Sequence, residues 1–206
     1  MVLFKSPIPP MTFPDVGIYE FIFDRTLPVS KPALIDGFTG ETITYGELKA
    51  RVNRLAGGLH HYGIKPYDVV GIFSPNHVEY PIAVFAAHRL GATVTTANPT
   101  YTPDELNFQL GDAKPRILIT VPELLDTARK AAKGTKVEKI FVFGAIGSAD
   151  ASPVRDLERS NVVPPAVAIK DAKTRTALLC YSSGTTGEEK PAAGGGGGFW
   201  IFNQEN

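Results

Sequence analysis

The feature that most constrains this chain is an alternation of short apolar runs and amphipathic stretches between residues 69 and 143. Residues 69–73, 92–97, 116–120 and 139–143 are each too short and too apolar for a surface helix, and read as strands. Residues 78–90, 103–110 and 123–133 read as the helices between them. Gly91 closes the first of these helices. Pro103 at the favoured first position, with Thr102 as cap, opens the second. Strand and helix alternating at this spacing imply βαβ units. The expected fold is therefore α/β, a mainly parallel βαβ sheet with helices on both faces.

Upstream, residues 33–35 and 42–45 flank Asp36-Gly37-Phe38-Thr39-Gly40 and read as a β-hairpin with a glycine-containing loop. Thr44 is placed to cap the next helix, and Glu47 three residues on completes a capping box. That helix sets Leu48, Val52, Leu55, Ala56 and Leu59 on one face, and Gly63 closes it. Residues 1–30, rich in proline and aromatics, read as an extended segment laid over the surface, with a short helix at 18–23. From 144 to 173 the pattern fades into a connecting stretch with a short helix at 156–160. Residues 176–181 then form an apolar strand, read as buried, that runs into Ser182-Ser-Gly-Thr-Thr-Gly-Glu-Glu-Lys190.

Composition narrows the partners. Of 206 residues, 43% are hydrophobic and 20% charged, as expected for a folded globular chain. Lys plus Arg number 21 and Asp plus Glu 21, so no global field draws in nucleic acid, and any anion must be gripped locally. No stretch approaches the roughly 18 apolar residues of a membrane span, and the start lacks a secretory apolar core. The expected location is cytoplasmic, with a peroxisomal one open to a longer parent. Cys180, the single cysteine, has no internal disulfide partner and reads as a packed strand residue.

Tyr181-Ser-Ser-Gly-Thr-Thr-Gly187 carries the chemistry. Gly184 and Gly187 allow positive φ and bring backbone N–H groups close to an anion. Ser182, Ser183, Thr185 and Thr186 add four hydroxyl donors, and Lys190 supplies a mobile positive charge. A loop leaving the C-terminal end of a strand lies where α/β sheets bind ligands. A Walker A loop is excluded by spacing, because Lys190 is flanked by Glu189 and Pro191 instead of Gly and Ser or Thr. A polar turn that merely closes a strand stays open on composition alone.

The run from Tyr181 to Gly187, followed by Lys190, resembles the nucleotide-binding signature of the adenylate-forming superfamily of acyl- and aryl-CoA synthetases, luciferases and peptide-synthetase adenylation domains. Thr42-Ile-Thr-Tyr-Gly-Glu-Leu48, Arg51-Val-Asn-Arg-Leu-Ala56, Gly71-Ile-Phe-Ser-Pro-Asn76 and the segment from Arg89 to Leu106 add to the likeness. Together they look most like the 4-coumarate–CoA ligase branch, including its fungal relatives.

The resemblance implies an ATP-dependent acid–CoA ligase. A carboxylic acid attacks the α-phosphate of ATP to give an acyl-adenylate and pyrophosphate, and the CoA thiol then displaces AMP. Ser182, Ser183, Gly184, Thr185, Thr186, Gly187 and Lys190 would hold the ATP phosphates with Mg²⁺, no catalytic side chain being assigned. The likeness covers roughly residues 10–190, and it implies that residues 1–190 form a partial N-terminal domain, the first third or so of a family member. Residues 191–206, with five consecutive glycines, read as an aberrant, disordered tail. The acyl pocket, the adenine and ribose segments and the mobile C-terminal domain are not in this sequence. A truncated chain inactive alone is therefore expected. The alternative is a non-catalytic product that binds nucleotide weakly or acts only through protein contacts.

Five further residues need little. Of His60 and His61, late in the long helix, one should be packed and one solvated. His77 should cap or start the next helix, and His88-Arg89 suit a helix C-terminus.

Overall fold

The structure, a computed structural model, describes residues 7–8, 14–144, 151–160, 162–172 and 174–181. Its elements follow the expected alternation. They are α1 (Ile18–Phe23), β1 (Pro32–Ile35), β2 (Thr42–Thr44), α2 (Tyr45–Tyr62), β3 (Val69–Phe73), α3 (Tyr80–Arg89) and β4 (Thr93–Ala97). Then come α4 (Pro103–Ala113), β5 (Ile117–Thr120), α5 (Leu125–Ala132), β6 (Lys139–Val142), β7 (Ala151–Pro153), α6 (Val154–Leu157) and β8 (Leu178–Cys180). A six-stranded sheet has the order β7-β6-β5-β3-β4-β8, every neighbouring pair parallel. The hairpin β1–β2 stands apart as an antiparallel pair.

The period of two along the strands splits the core into two layers. Val70, Ile72, Val94, Ile117, Ile119 and Phe141 face one layer, shared with Leu55 and Leu59 of α2 and Ile82 and Ala86 of α3. Phe73, Leu118, Ile140 and Val142 face the other, packed with Leu106 and Leu110 of α4 and Ala128 and Ala131 of α5. Helices thus cover both faces, and the strands are apolar on both sides, as buried parallel strands must be.

The helix starts follow the capping logic. Thr44 accepts from Glu47 N–H while the Glu47 carboxylate accepts from Thr44 N–H, and Thr102 and Glu105 repeat the box on α4. Gly63 ends α2 at φ 103°, a conformation that favours glycine.

Four expectations change. β7 was not foreseen. Three residues including a proline carry no strand signal, and Pro153 is tolerated because β7 is a sheet edge among the described residues. The short helix lies at Val154–Leu157, slightly ahead of 156–160. The helix α1 is no surface strap, since Tyr19 and Phe23 are buried in the first core layer. His60 and His61 are both exposed, because the buried face of α2 passes through Leu59 instead.

Candidate functional site

The sheet order fixes where a ligand can enter. From β3 the chain leaves toward α3 on one face, and from β4 it leaves toward α4 on the other. Two adjacent parallel strands whose loops diverge leave a crevice beyond their C-terminal ends, the switch point where open α/β sheets bind ligands.

A cleft of about 360 Å³ lies there. Ser74 and Asn76 line it from the loop after β3, Tyr80 from the start of α3, Thr96, Ala97, Asn98, Pro99 and Tyr101 from β4 and its loop, and Tyr181 from the residue after β8. None of its lining side chains is charged, and seven of them offer a hydroxyl or carboxamide. The size falls within the range of small-molecule sites. Such a surface can donate and accept hydrogen bonds to sugar and phosphate oxygens but brings no cation to balance phosphate charge.

Each wall has a local cause. Thr120 Oγ1 donates to the Phe73 carbonyl at 2.7 Å and holds the end of β3 against β5. Asn98 Oδ1 accepts from the backbone N–H and hydroxyl of Thr100, which closes the turn at 98–101. Burial, with the nearby Cys180 charge adding to it and the Thr96 hydroxyl opposing it, pushes the Tyr80 phenol up to about 12. Gln109 reaches from α4 to Thr95 Oγ1 at 2.9 Å and the Thr96 carbonyl at 3.1 Å, fixing the back of β4.

β8 pairs with β4 through Leu178, Leu179 and Cys180. Tyr181 follows at the sheet's C-terminal edge, and its hydroxyl donates to Asp112 Oδ2 on α4. Burial, then this bond, pushes the Tyr181 phenol above its ordinary value, so it stays a proton donor at neutral pH. Tyr181, the first residue of the Ser/Thr/Gly run, is therefore pinned to α4 beside the cleft. Ser182, Ser183, Gly184, Thr185, Thr186, Gly187 and Lys190 lie outside the described residues, as does the 191–206 tail.

Two expectations about β8 are corrected. The strand is half-buried, not buried, because it is bonded to β4 on one side and forms the sheet edge among the described residues. Cys180 is accordingly half-exposed, with Sγ 3.9 Å from Thr96 Oγ1, instead of lying in the core.

Sequence reasoning also missed an ion cluster behind the cleft. Glu79, 1% exposed, precedes α3. Its Oε1 accepts from Arg51 Nη2 at 2.6 Å and Arg155 Nε at 2.5 Å. Arg51 also grips Glu158 with Nε and Nη2. Burial opposes ionisation of Glu79, but the bonds from Arg155, Arg51 and the Gly144 N–H prevail and hold its carboxyl below the ordinary 4.5. The only sequence signal was a cluster of Arg and Glu on α2, indistinguishable from a solvated helix face.

At the opposite edge of the sheet, His88 Nε2 lies 3.0 Å from the Ala177 carbonyl, and Arg89 donates to the Pro164 carbonyl at 2.6 Å. Both residues are buried, so they do more than complement the end of α3. They tie the 162–177 connection to it.

The fold and cleft define a doubly wound α/β domain with its ligand crevice at the switch point. The AMP-binding enzyme family matches residues 24–193, and the chain belongs to that family. It is 34% identical over 196 residues to 4-coumarate–CoA ligase 5 of Oryza sativa subsp. japonica, covering 91% of this chain and 34% of that one. It is 36% identical over 189 residues to the 4-coumarate–CoA ligase-like 5 protein of the same plant, covering 89% and 32%. Among solved structures it resembles the anthranilate CoA ligase AuaEII in complex with anthranoyl-AMP (TM-score 0.76, 25% identity, 88% of this chain and 35% of that one). It also resembles ATP-bound MatB of Rhodopseudomonas palustris (TM-score 0.72, 28% identity, 85% and 34%). The chain spans about a third of the length of the relatives it matches. Among the described residues no helix is long and apolar enough to cross a membrane.

Proposed function

We propose that this chain carries the phosphate-gripping part of an ATP-dependent acid–CoA ligase, the parent activity being acyl-adenylate and then acyl-CoA formation from a carboxylic acid. The observation that carries the reading is the pinning of Tyr181, first residue of the Ser/Thr/Gly run, beside an uncharged cleft at the sheet's switch point. Ser182, Ser183, Thr185 and Thr186 donate hydroxyls to the β- and γ-phosphates, and Gly184 and Gly187 let backbone N–H groups approach them.

The cleft's hydroxyls and carboxamides fit the sugar and the uncharged edge of the nucleotide, while its lack of cations leaves phosphate charge to Lys190 and a metal. Mg²⁺, when bound with the nucleotide, neutralises charge on the phosphate oxygens. The contribution of the chain's own residues is positioning and electrostatic stabilisation, with no covalent intermediate on the protein. Partners of the parent are the acid, ATP and CoA.

Calorimetric titration of the purified chain with Mg·ATP tests the reading. Saturable binding weakened about tenfold or more by Lys190→Ala, and also reduced by Thr185→Ala, is expected from losing charge-assisted bonds. Absent binding, or binding indifferent to both substitutions, would leave a chain acting only through protein contacts.

A further inference from the structure

We infer that Glu79 is the positioning residue of the nucleotide cleft, holding the loop Ser74–Glu79 in place from behind without touching ligand. The inference deepens the function proposed above and rests on it. The loop after β3 supplies two cleft walls, Ser74 and Asn76. Beyond them the same loop is fixed at two points, neither of which faces the cleft lining. At His77, Nδ1 accepts the Glu79 N–H at 3.1 Å, and the ring stacks on Phe143 at 5.0 Å and 6°. At Glu79 the carboxylate gathers Arg51 from α2, Arg155 from α6 and the Gly144 N–H that follows β6.

One side chain thus connects three other parts of the chain, α2, α6 and the end of β6, to the start of α3, which also presents Tyr80 to the cleft. The carboxylate is almost fully buried and has three donors converging on it. A helix opening needs no partners from other elements, since α2 and α4 are capped by boxes within their own first turns, Thr44 with Glu47 and Thr102 with Glu105. The opening loops of α3 and α4 both wall the cleft, but only that of α3 is anchored through a buried carboxylate shared with other elements. Rigid support behind such a wall is what keeps ligand groups within the small displacement that binding geometry tolerates.

The partition of the cluster supplies the test. Glu158 holds Arg51 through bonds of 3.1 and 2.7 Å and pairs with Arg54 at 3.9 Å, with no bond to the loop among the described residues. Glu79→Gln and Glu158→Gln both leave a positive charge unmatched, but only the first loosens the cleft wall. The chain and each variant would be compared by Mg·ATP titration and by backbone hydrogen exchange, at a temperature where circular dichroism finds all three folded. Glu79→Gln is expected to raise the Mg·ATP dissociation constant about three- to tenfold and to speed exchange in 74–80. Glu158→Gln should stay within twofold of wild type in affinity, with exchange in 74–80 unchanged. Equal effects of the two substitutions, or unaltered exchange in 74–80 with Glu79→Gln, would overturn the inference. Should wild type bind no Mg·ATP, the function proposed above fails, and the exchange comparison still decides whether Glu79 holds the loop.

Discussion

Gly57 and Gly58 sit in the middle of α2, where each is expected to cost about 1 kcal/mol relative to alanine. Space explains them. A Cβ on Gly57 would lie 2.0 Å from the Val162 carbonyl oxygen, and one on Gly58 would lie 2.1 Å from that of Leu157. The two glycines let the α6 connection press directly on α2. Gly58→Ala therefore destabilises the chain by at least about 2 kcal/mol in urea unfolding, against the gain propensity alone predicts. A gain in stability would show that the contact yields easily. Glu79→Ala strands Arg51 and Arg155 around an empty site, and a loss of about 3 kcal/mol is expected in the same assay. Neither feature could be read in the sequence. Arg51 and Glu158 are 107 residues apart, and a glycine pair in a helix says nothing of what lies against it.

At the scale of elements, what could be read was whatever carried its own signal. The box of Thr44 with Glu47 and the Thr102 cap are local chemistry and form as expected, and Glu105 completes a second box that had not been read. Thr44→Ala and Thr102→Ala should each cost about 1 kcal/mol, measured as a shift in urea midpoint. No loss in either would mean the helix starts are held by packing alone. The strands β3 to β6 were legible because runs such as Val-Val-Gly-Ile-Phe are apolar on both faces. β7 was not, since Ala-Ser-Pro joins the sheet only because β6 offers it an edge. The half-exposure of β8 was equally hidden. Burial of a strand depends on what covers it, and its own residues are silent on that. Of the cleft, Tyr181 at the end of the last strand was legible. The ion cluster behind it was not.

Across the whole molecule, the two ends of the sheet do different work. The C-terminal end holds the cleft, and the N-terminal end is closed by the 162–177 connection. There burial, partly offset by the Ala177 carbonyl, holds His88 below its ordinary 6.5. The unfolded chain takes up this proton first, so the stability His88 contributes is present above pH 6.5 and lost as pH falls through its lower folded value. The urea midpoint should fall between pH 7.5 and 5.5, and His88→Gln should remove much of that fall. An identical fall in both proteins would assign it elsewhere.

The central claim is that the switch-point cleft and the loop beyond Tyr181 form one nucleotide site. Mapping Mg·ATP onto the backbone amide spectrum of the ¹⁵N-labelled chain tests it most directly. The account predicts saturable shifts in 74–76, 96–101 and 181–190, with the amides around His88 and Gly91 unmoved. Shifts centred on the N-terminal end of the sheet, or none at millimolar nucleotide, would contradict it.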